Sequence, residues 1–243
     1  MASYRGFAPV YDALMADQPY EARAEYLLGL FGEWGREPHL MLDLACGSGR
    51  LTLEMAKRGV DMIGVDRSPE MLTLARDRLQ EHGCLLLCQS AEDLDLDGTV
   101  DAAVCTMDSI NHITEEDALR ALFERVHLFL EPGCLFLFDV NSEKKHADVL
   151  ADNTFEYDTG DVYCLWHNKT EMPYTSIALE YSVKVGKEHF RGKETFRERT
   201  WSPAELDSLL RQTGFTLLAR YEDMTHQAPT EDAERIQYVV RRD

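Results

Sequence analysis

Residues 40–50 read LMLDLACGSGR. Apolar residues from Leu40 to Leu44, broken once by Asp43, run into a turn spaced by glycines. This predicts a buried parallel strand whose carboxyl end opens directly into a helix. Gly47 and Gly49 can take backbone dihedrals closed to other residues and leave no Cβ where a ligand must approach. The helix that follows offers unpaired N–H groups at its start. A dinucleotide turn of the form G-x-G-x-x-G would carry a third small residue where Thr52 stands. The glycine pair alone is weak evidence for a nucleotide site. Two carboxylates sharpen it. Asp43 sits two residues before Ala45, and Asp66 ends the next apolar run, DMIGVD (61–66). A carboxylate at the tip of a second strand is placed to accept two hydrogen bonds from a ribose diol. Ser68-Pro69-Glu70 then reads as a helix start, with a Ser cap, Pro at the first helical position and Glu opposing the dipole.

The pattern repeats outward from there. Apolar positions between Tyr20 and Trp34 fall on one helical face. CLLLCQS (84–90) and VDAAVCTMD (100–108) read as a third and a fourth strand. A helix over 114–131, capped by Thr114, precedes a fifth strand, CLFLFDV (134–140), with Pro132-Gly133 as the break between them. Strands alternating with helices or loops imply a parallel, doubly wound α/β sheet, whose ligands bind outside the carboxyl ends of the strands. Asp43, Gly47, Asp66, Glu92 and Met107 all fall at those ends.

The period changes near residue 153. Ile177, Leu179, Tyr181, Val183 and Val185 alternate with polar or small residues, and turn signals stand at Thr159-Gly160-Asp161, Met172-Pro173 and Gly186. These predict an antiparallel sheet over 153–201, inserted as a lid on a core of 1–152 and 202–243. The core resumes with a capping box at Ser202–Glu205 and two last strands, 216–224 and 235–242, for seven in all.

Composition narrows the function. The chain has 243 residues, a net charge of −19, 44% hydrophobic and 28% charged residues. That charge disfavours long nucleic acids, which reward clustered Lys and Arg. No run approaches a membrane span, and the first residues lack a signal peptide's apolar stretch. Cys46, Cys84, Cys88, Cys105, Cys134 and Cys164 include no C-x-x-C pair and lie mostly in apolar runs. They read as reduced thiols of a cytoplasmic protein. No HExxH or paired-cysteine cluster stands out, so no metal is expected.

With LDLACGSGR (42–50), VDRSPEML (65–72), SAEDL (90–94), DAAVCTMDSINHI (101–113) and LEPGCLFLFDV (130–140) assembled, the chain resembles the class I S-adenosylmethionine-dependent methyltransferases. VYDALM (10–15) and SINHI (109–113) carry a closer likeness to small-molecule enzymes with a β-sheet lid, including the sugar N,N-dimethyltransferases. The resemblance implies a Rossmann-like core and S-adenosyl-L-methionine as cofactor. It implies that Ala45, Gly47 and Gly49 shape the methionine end, with Asp43 near the cofactor's amino group. Asp66 would hold the ribose, Arg67 and Met71 would flank the adenine, and Ala91 with Glu92 or Asp93 would meet its edge. Met107 would sit near the sulfonium. Tyr11 and His112 would face the methyl group from the acceptor side, His112 as a candidate base with an ordinary pKa of about 6.5.

The expected acceptor is a small molecule, with an amine nitrogen preferred, and the expected assembly is a monomer or homodimer. An NAD-dependent oxidoreductase and a non-catalytic cofactor binder are the rival readings, the first disfavoured by Thr52 and the lid. A nucleic acid base methyltransferase is disfavoured by MDSI after strand four, where an Asn/Asp-Pro-Pro-aromatic motif would be needed. Arg197 and Arg199 share one face of a lid strand, looking either inward to an anionic group or outward to solvent. His146, His167, His189 and His226 read as solvated or lid-structural, and Tyr4 as a residue outside the regular pattern.

Overall fold

The computed structural model describes residues 6–35 and 37–243; Tyr4 lies outside them. The sheet has seven strands: β1 (Leu40–Leu44), β2 (Asp61–Asp66), β3 (Leu85–Cys88), β4 (Val100–Cys105), β5 (Leu130–Asn141), β10 (Phe215–Glu222) and β11 (Arg235–Arg242). Their spatial order is β10-β11-β5-β4-β1-β2-β3. The pairs among β1 to β5 are parallel, whereas β11 runs antiparallel to both of its neighbours. The doubly wound core is therefore mixed at one edge. Strand order reverses between β1 and β4, which opens a crevice at their carboxyl ends.

Both faces of β1 are buried, as its near-continuous apolar run requires. Met41 packs with Ala24, Leu27 and Phe31 of α2 (Tyr20–Trp34) on one side. Leu42 and Leu44 pack on the other with Phe123 of α5 (Glu116–Phe129) and Leu206 of α6 (Pro203–Gln212). Two further helices follow the strands of the site, α3 (Arg50–Lys57) and α4 (Pro69–Leu79). The Ser68 cap and the Ser202–Glu205 capping box form as expected.

Two boundaries differ from the sequence reading. Helix α5 starts at Glu116 without a side-chain cap, and the Thr114 carbonyl instead accepts a hydrogen bond from Arg199 (3.3 Å). Pro132-Gly133 does not break β5. The β4–β5 register passes from Val100↔Leu130 to Ala102↔Leu135, so three extra residues bulge out there. A bulge is where a strand tolerates proline.

Strands β6 (Thr154–Asp158), β7 (Val162–Glu171), β8 (Tyr174–Val185) and β9 (Glu188–Arg199) form a separate antiparallel lid. Cys164, Ile177, Leu179, Tyr181 and Val183 bury one of its faces against Phe7, Val10 and Leu14 of the N-terminal segment that contains α1 (Ala8–Leu14). A π-helical turn, Lys145–Leu150, which the sequence did not signal, joins β5 to the lid. Among the described residues no helix is long and apolar enough to cross a membrane.

Candidate active site

The glycine turn is left-handed at Ala45 (φ 57°), Gly47 (φ 55°) and Gly49 (φ 74°). Gly47 and Gly49 serve different ends. A Cβ on Gly47 would meet nothing within 4 Å, so its bareness faces the crevice. A Cβ on Gly49 would lie 3.1 Å from Ala75 Cβ and from Leu79 Cδ1, so this glycine lets α4 pack against the turn and does not open space for a ligand.

Asp66 is the clasp of this turn. One carboxylate oxygen accepts the Gly47 N–H (2.9 Å), the other the Ser68 N–H (2.8 Å). A carboxylate has about four lone-pair sites, so two remain for a diol. Asp43 is 2% exposed and accepts a hydrogen bond from Thr52 Oγ1 (2.6 Å). Burial pushes its carboxyl up to about 7; the Thr52 bond opposes that shift and the Asp66 charge adds to it. Thr52, which stands where a dinucleotide turn would have its third small residue, is thus the partner of the buried acid.

A narrow cleft follows, lined by Tyr11, Tyr20, Asp43, Ala45, Gly47, Thr106, Met107 and Ser109 among others. Helix α1 lies across it. Asp12 accepts hydrogen bonds from Arg50 Nε (2.9 Å) and Arg78 Nη2 (2.9 Å), and from the Ser48 hydroxyl. Burial opposes ionisation of Asp12, but Arg50, Ser48 and Arg78 together hold its carboxyl below the usual range. Arg67, Met71, Ala91, Glu92 and Asp93 do not line this cleft. They continue the same strand-end edge beyond Asp66, with Arg67 and Asp93 exposed and the other three half-buried.

Met107 and Asp108 are consecutive left-handed residues (φ 58° and 56°). Asp139, fully buried near the end of β5, holds them by accepting the Met107 N–H (2.9 Å) and the Asp108 N–H (2.7 Å). Arg235 pairs with Asp108 and Asp139, and Arg23 with Asp139 and Asp223. Burial still raises the Asp139 carboxyl, against both arginines. Burial, reinforced by the Asp108 charge, drives the Tyr11 phenol well above its usual range.

His112 ends the 3₁₀ turn Ser109–His112, its side chain 39% exposed, with its ring 5.1 Å from Phe196 and Nε2 3.7 Å from Glu198 Oε1. Burial lowers its pKa, with Asp108 opposing. Glu198, on β9, is 2% exposed. Burial and the Asp108 charge push its carboxyl up to about 8. Its Oε2 lies 3.6 Å from Nε2 of His146, which is fully buried and shifted down to about 4 by that burial. The inward face of β9 therefore carries Phe196 and Glu198. Arg197 and Arg199 lie on the other face, stacked over Tyr174 and Trp201 at 4.2 and 3.7 Å. One ligand-capable atom each from Asp108, His112 and Glu198 fall within 4.8 Å of one another.

Asp12, Arg23, Asp139, Glu198 and Arg235 escaped the sequence reading. Asp139 left a trace, as a charge inside an apolar run. Glu198 left a weaker one, sharing its face with Phe196.

Comparison with known proteins agrees with this geometry. Residues 41–133 match the family described as a methyltransferase domain. A Bacillus subtilis (strain 168) chain named as a methyltransferase, YqeM, is 32% identical over 96% of this chain and 94% of its own. An S-adenosylmethionine-dependent methyltransferase from Clostridium acetobutylicum ATCC 824 superposes with a TM-score of 0.87 at 30% identity, covering 97% of each chain. CalS10, an amino pentose methyltransferase from Micromonospora echinaspora solved with S-adenosylmethionine bound, shares the fold at a TM-score of 0.78 and 19% identity, covering 96% of this chain and 97% of that one. A bare crevice at Gly47, a clasped Asp66 with two free lone-pair sites and these relatives converge, and the chain belongs to the S-adenosylmethionine-dependent methyltransferases.

Proposed function

We propose that the protein moves the methyl group of S-adenosyl-L-methionine to the nitrogen of a small amine. The observation that carries this is the roof of the site. Helix α1 covers a narrow chamber lined by Tyr11 and Met107, and beside it the turn that follows β4 sets His112 against Phe196 of lid strand β9. Such a chamber suits a small acceptor and keeps water from the sulfonium. Methyl transfer is an in-line displacement, and alignment alone can supply roughly 7–11 kcal/mol of its barrier.

In this reading Asp66 holds the ribose and Asp43 lies near the cofactor's amino group. Ala45 and Gly47 shape the methionine end, Gly49 keeps α4 packed against the turn, and Met107 borders the sulfonium. Arg67, Met71, Ala91, Glu92 and Asp93 border the adenine. Tyr11 and His112 meet the acceptor on the far side of the methyl. The lid over 153–201 acts on a core made of 1–152 and 202–243. Preference for nitrogen over oxygen follows the fold shared with KedS8, a sugar N-methyltransferase from Streptoalloteichus sp ATCC 53650. The test is a screen of small amines, hydroxy acids and sugar nucleotides for release of S-adenosylhomocysteine. Turnover of amines supports the reading; turnover of hydroxy acids alone overturns the nitrogen assignment.

A further inference from the structure

We propose that Asp108, His112 and Glu198 form a binding site for a first-row divalent metal ion of the zinc or manganese kind, which ties the lid to the core. The argument begins with hydrogen-bond donors. Thr170 Oγ1 donates to the Ala151 carbonyl (2.8 Å) and lies 2.9 Å from Thr175 Oγ1. Its proton being spent, Thr175 must be the donor between the two threonines. Thr175 Oγ1 then accepts from His146 Nδ1 (2.8 Å), which fixes the tautomer and leaves His146 Nε2 as a bare lone pair.

That lone pair faces Glu198 Oε2 across 3.6 Å, and both atoms are buried without a hydrogen-bond partner. His146 is 0% and Glu198 2% exposed. An ionised Glu198 would set two acceptors against each other out of water, so this contact calls for a proton between Oε2 and Nε2 or a cation drawing charge off the carboxylate. The other oxygen of Glu198 is 3.7 Å from His112 Nε2, and Asp108 completes a group whose ligand atoms all lie within 4.8 Å.

Zinc–nitrogen and zinc–oxygen bonds of roughly 2.0–2.2 Å place tetrahedral ligand atoms about 3.3–3.6 Å apart. The His112–Glu198 edge is already within a few tenths of an ångström of that, and Asp108, which also pairs with Arg235, has to draw in closer. Mixed imidazole and carboxylate ligands favour first-row ions over calcium or magnesium. Three protein ligands leave a position open for an oxygen donor. Glu198 rides on lid strand β9, while Asp108 and His112 follow core strand β4. The ion would therefore pin one body to the other. Glu198 lies far from Asp108 and His112 in sequence, which is why no metal motif marks the group.

The test uses the full chain dialysed against a chelator. Calorimetric titration with Zn²⁺ and Mn²⁺ is run beside visible absorption with Co²⁺. Expected are one site per chain, Co²⁺ bands of a low-coordinate N/O site, and a dissociation constant raised more than about tenfold in Glu198→Gln and in His112→Gln. His189→Gln, on the outer lid, serves as the control and should bind like the parent. S-adenosylhomocysteine binding, measured on every variant, reports whether the fold and the cofactor site survive, separately from the metal. If Glu198→Gln fails to fold, the half-exposed His112 gives the same readout. Absence of one-to-one binding by the parent, or equal binding by both variants, overturns the proposal.

Discussion

Replacing Asp66 tests the cofactor site most directly. Its carboxylate spends two lone-pair sites on the Gly47 and Ser68 N–H groups, at 2.9 and 2.8 Å, and has two left, which in the proposed reading take the ribose hydroxyls. Hydrogen bonds to a charged group contribute about 1.5–3 kcal/mol each. Two ribose bonds lost in Asp66→Ala therefore sum to about 3–6 kcal/mol, or roughly a hundredfold to ten-thousandfold in dissociation constant. Asp66→Asn keeps one acceptor and should lose roughly tenfold to a hundredfold. Titration calorimetry with S-adenosylhomocysteine reads both, and thermal melting reports what loosening the glycine turn costs the fold. A 2′-deoxyribose analogue separates the two effects: the parent should bind it more weakly, and Asp66→Ala should show little further loss. An Asp66→Ala protein that melts normally and binds within about threefold of the parent would refute the ribose assignment.

Other expectations concern packing, pH and the N-terminal helix. Gly49→Ala puts a Cβ 3.1 Å from Ala75 and Leu79 at a positive φ, and should destabilise the fold by about 1–3 kcal/mol, read by denaturant unfolding. The Asp43 carboxyl, raised to about 7, binds its proton more tightly folded than unfolded, so its contribution to stability falls as pH rises from about 4 to 7. A cationic cofactor favours the ionised form. Its affinity should therefore rise with pH toward 7, with protons released on binding, detectable by calorimetry in buffers of different ionisation enthalpy. Asp12→Ala removes the contacts to Ser48, Arg50 and Arg78, and should speed both association and dissociation of S-adenosylhomocysteine in stopped-flow measurements.

The strand–glycine–helix unit was plain in the sequence because local chemistry dictates it. Gly47 at a positive φ, Asp66 at a strand tip and Ser68 at a helix start each follow from short-range backbone constraints. The lid strands were equally plain, since a period of two with turn residues at Gly160, Pro173 and Gly186 admits few other structures. Long-range pairings were hidden. Asp139 beneath Met107, Arg235 on Asp108 and Glu198 against His146 join positions 32, 127 and 52 residues apart by subtraction of their numbers, and no local pattern encodes them. The face of β9 that looks inward was hidden for a related reason. Arginines flank Glu198 on both sides, and only the stacking on Tyr174 and Trp201 shows where they go.

Helix α1 touches two parts of the site, through Val10 beneath the lid and Asp12 beside the glycine turn proposed to hold the cofactor. One short segment thus governs two doors. Displacing it to admit the nucleoside also strips the ceiling from the neighbouring compartment, so the methyl donor should enter first and its spent form should leave last. Steady-state inhibition patterns would then show compulsory order, a kinetic trait written into seven residues near the amino terminus.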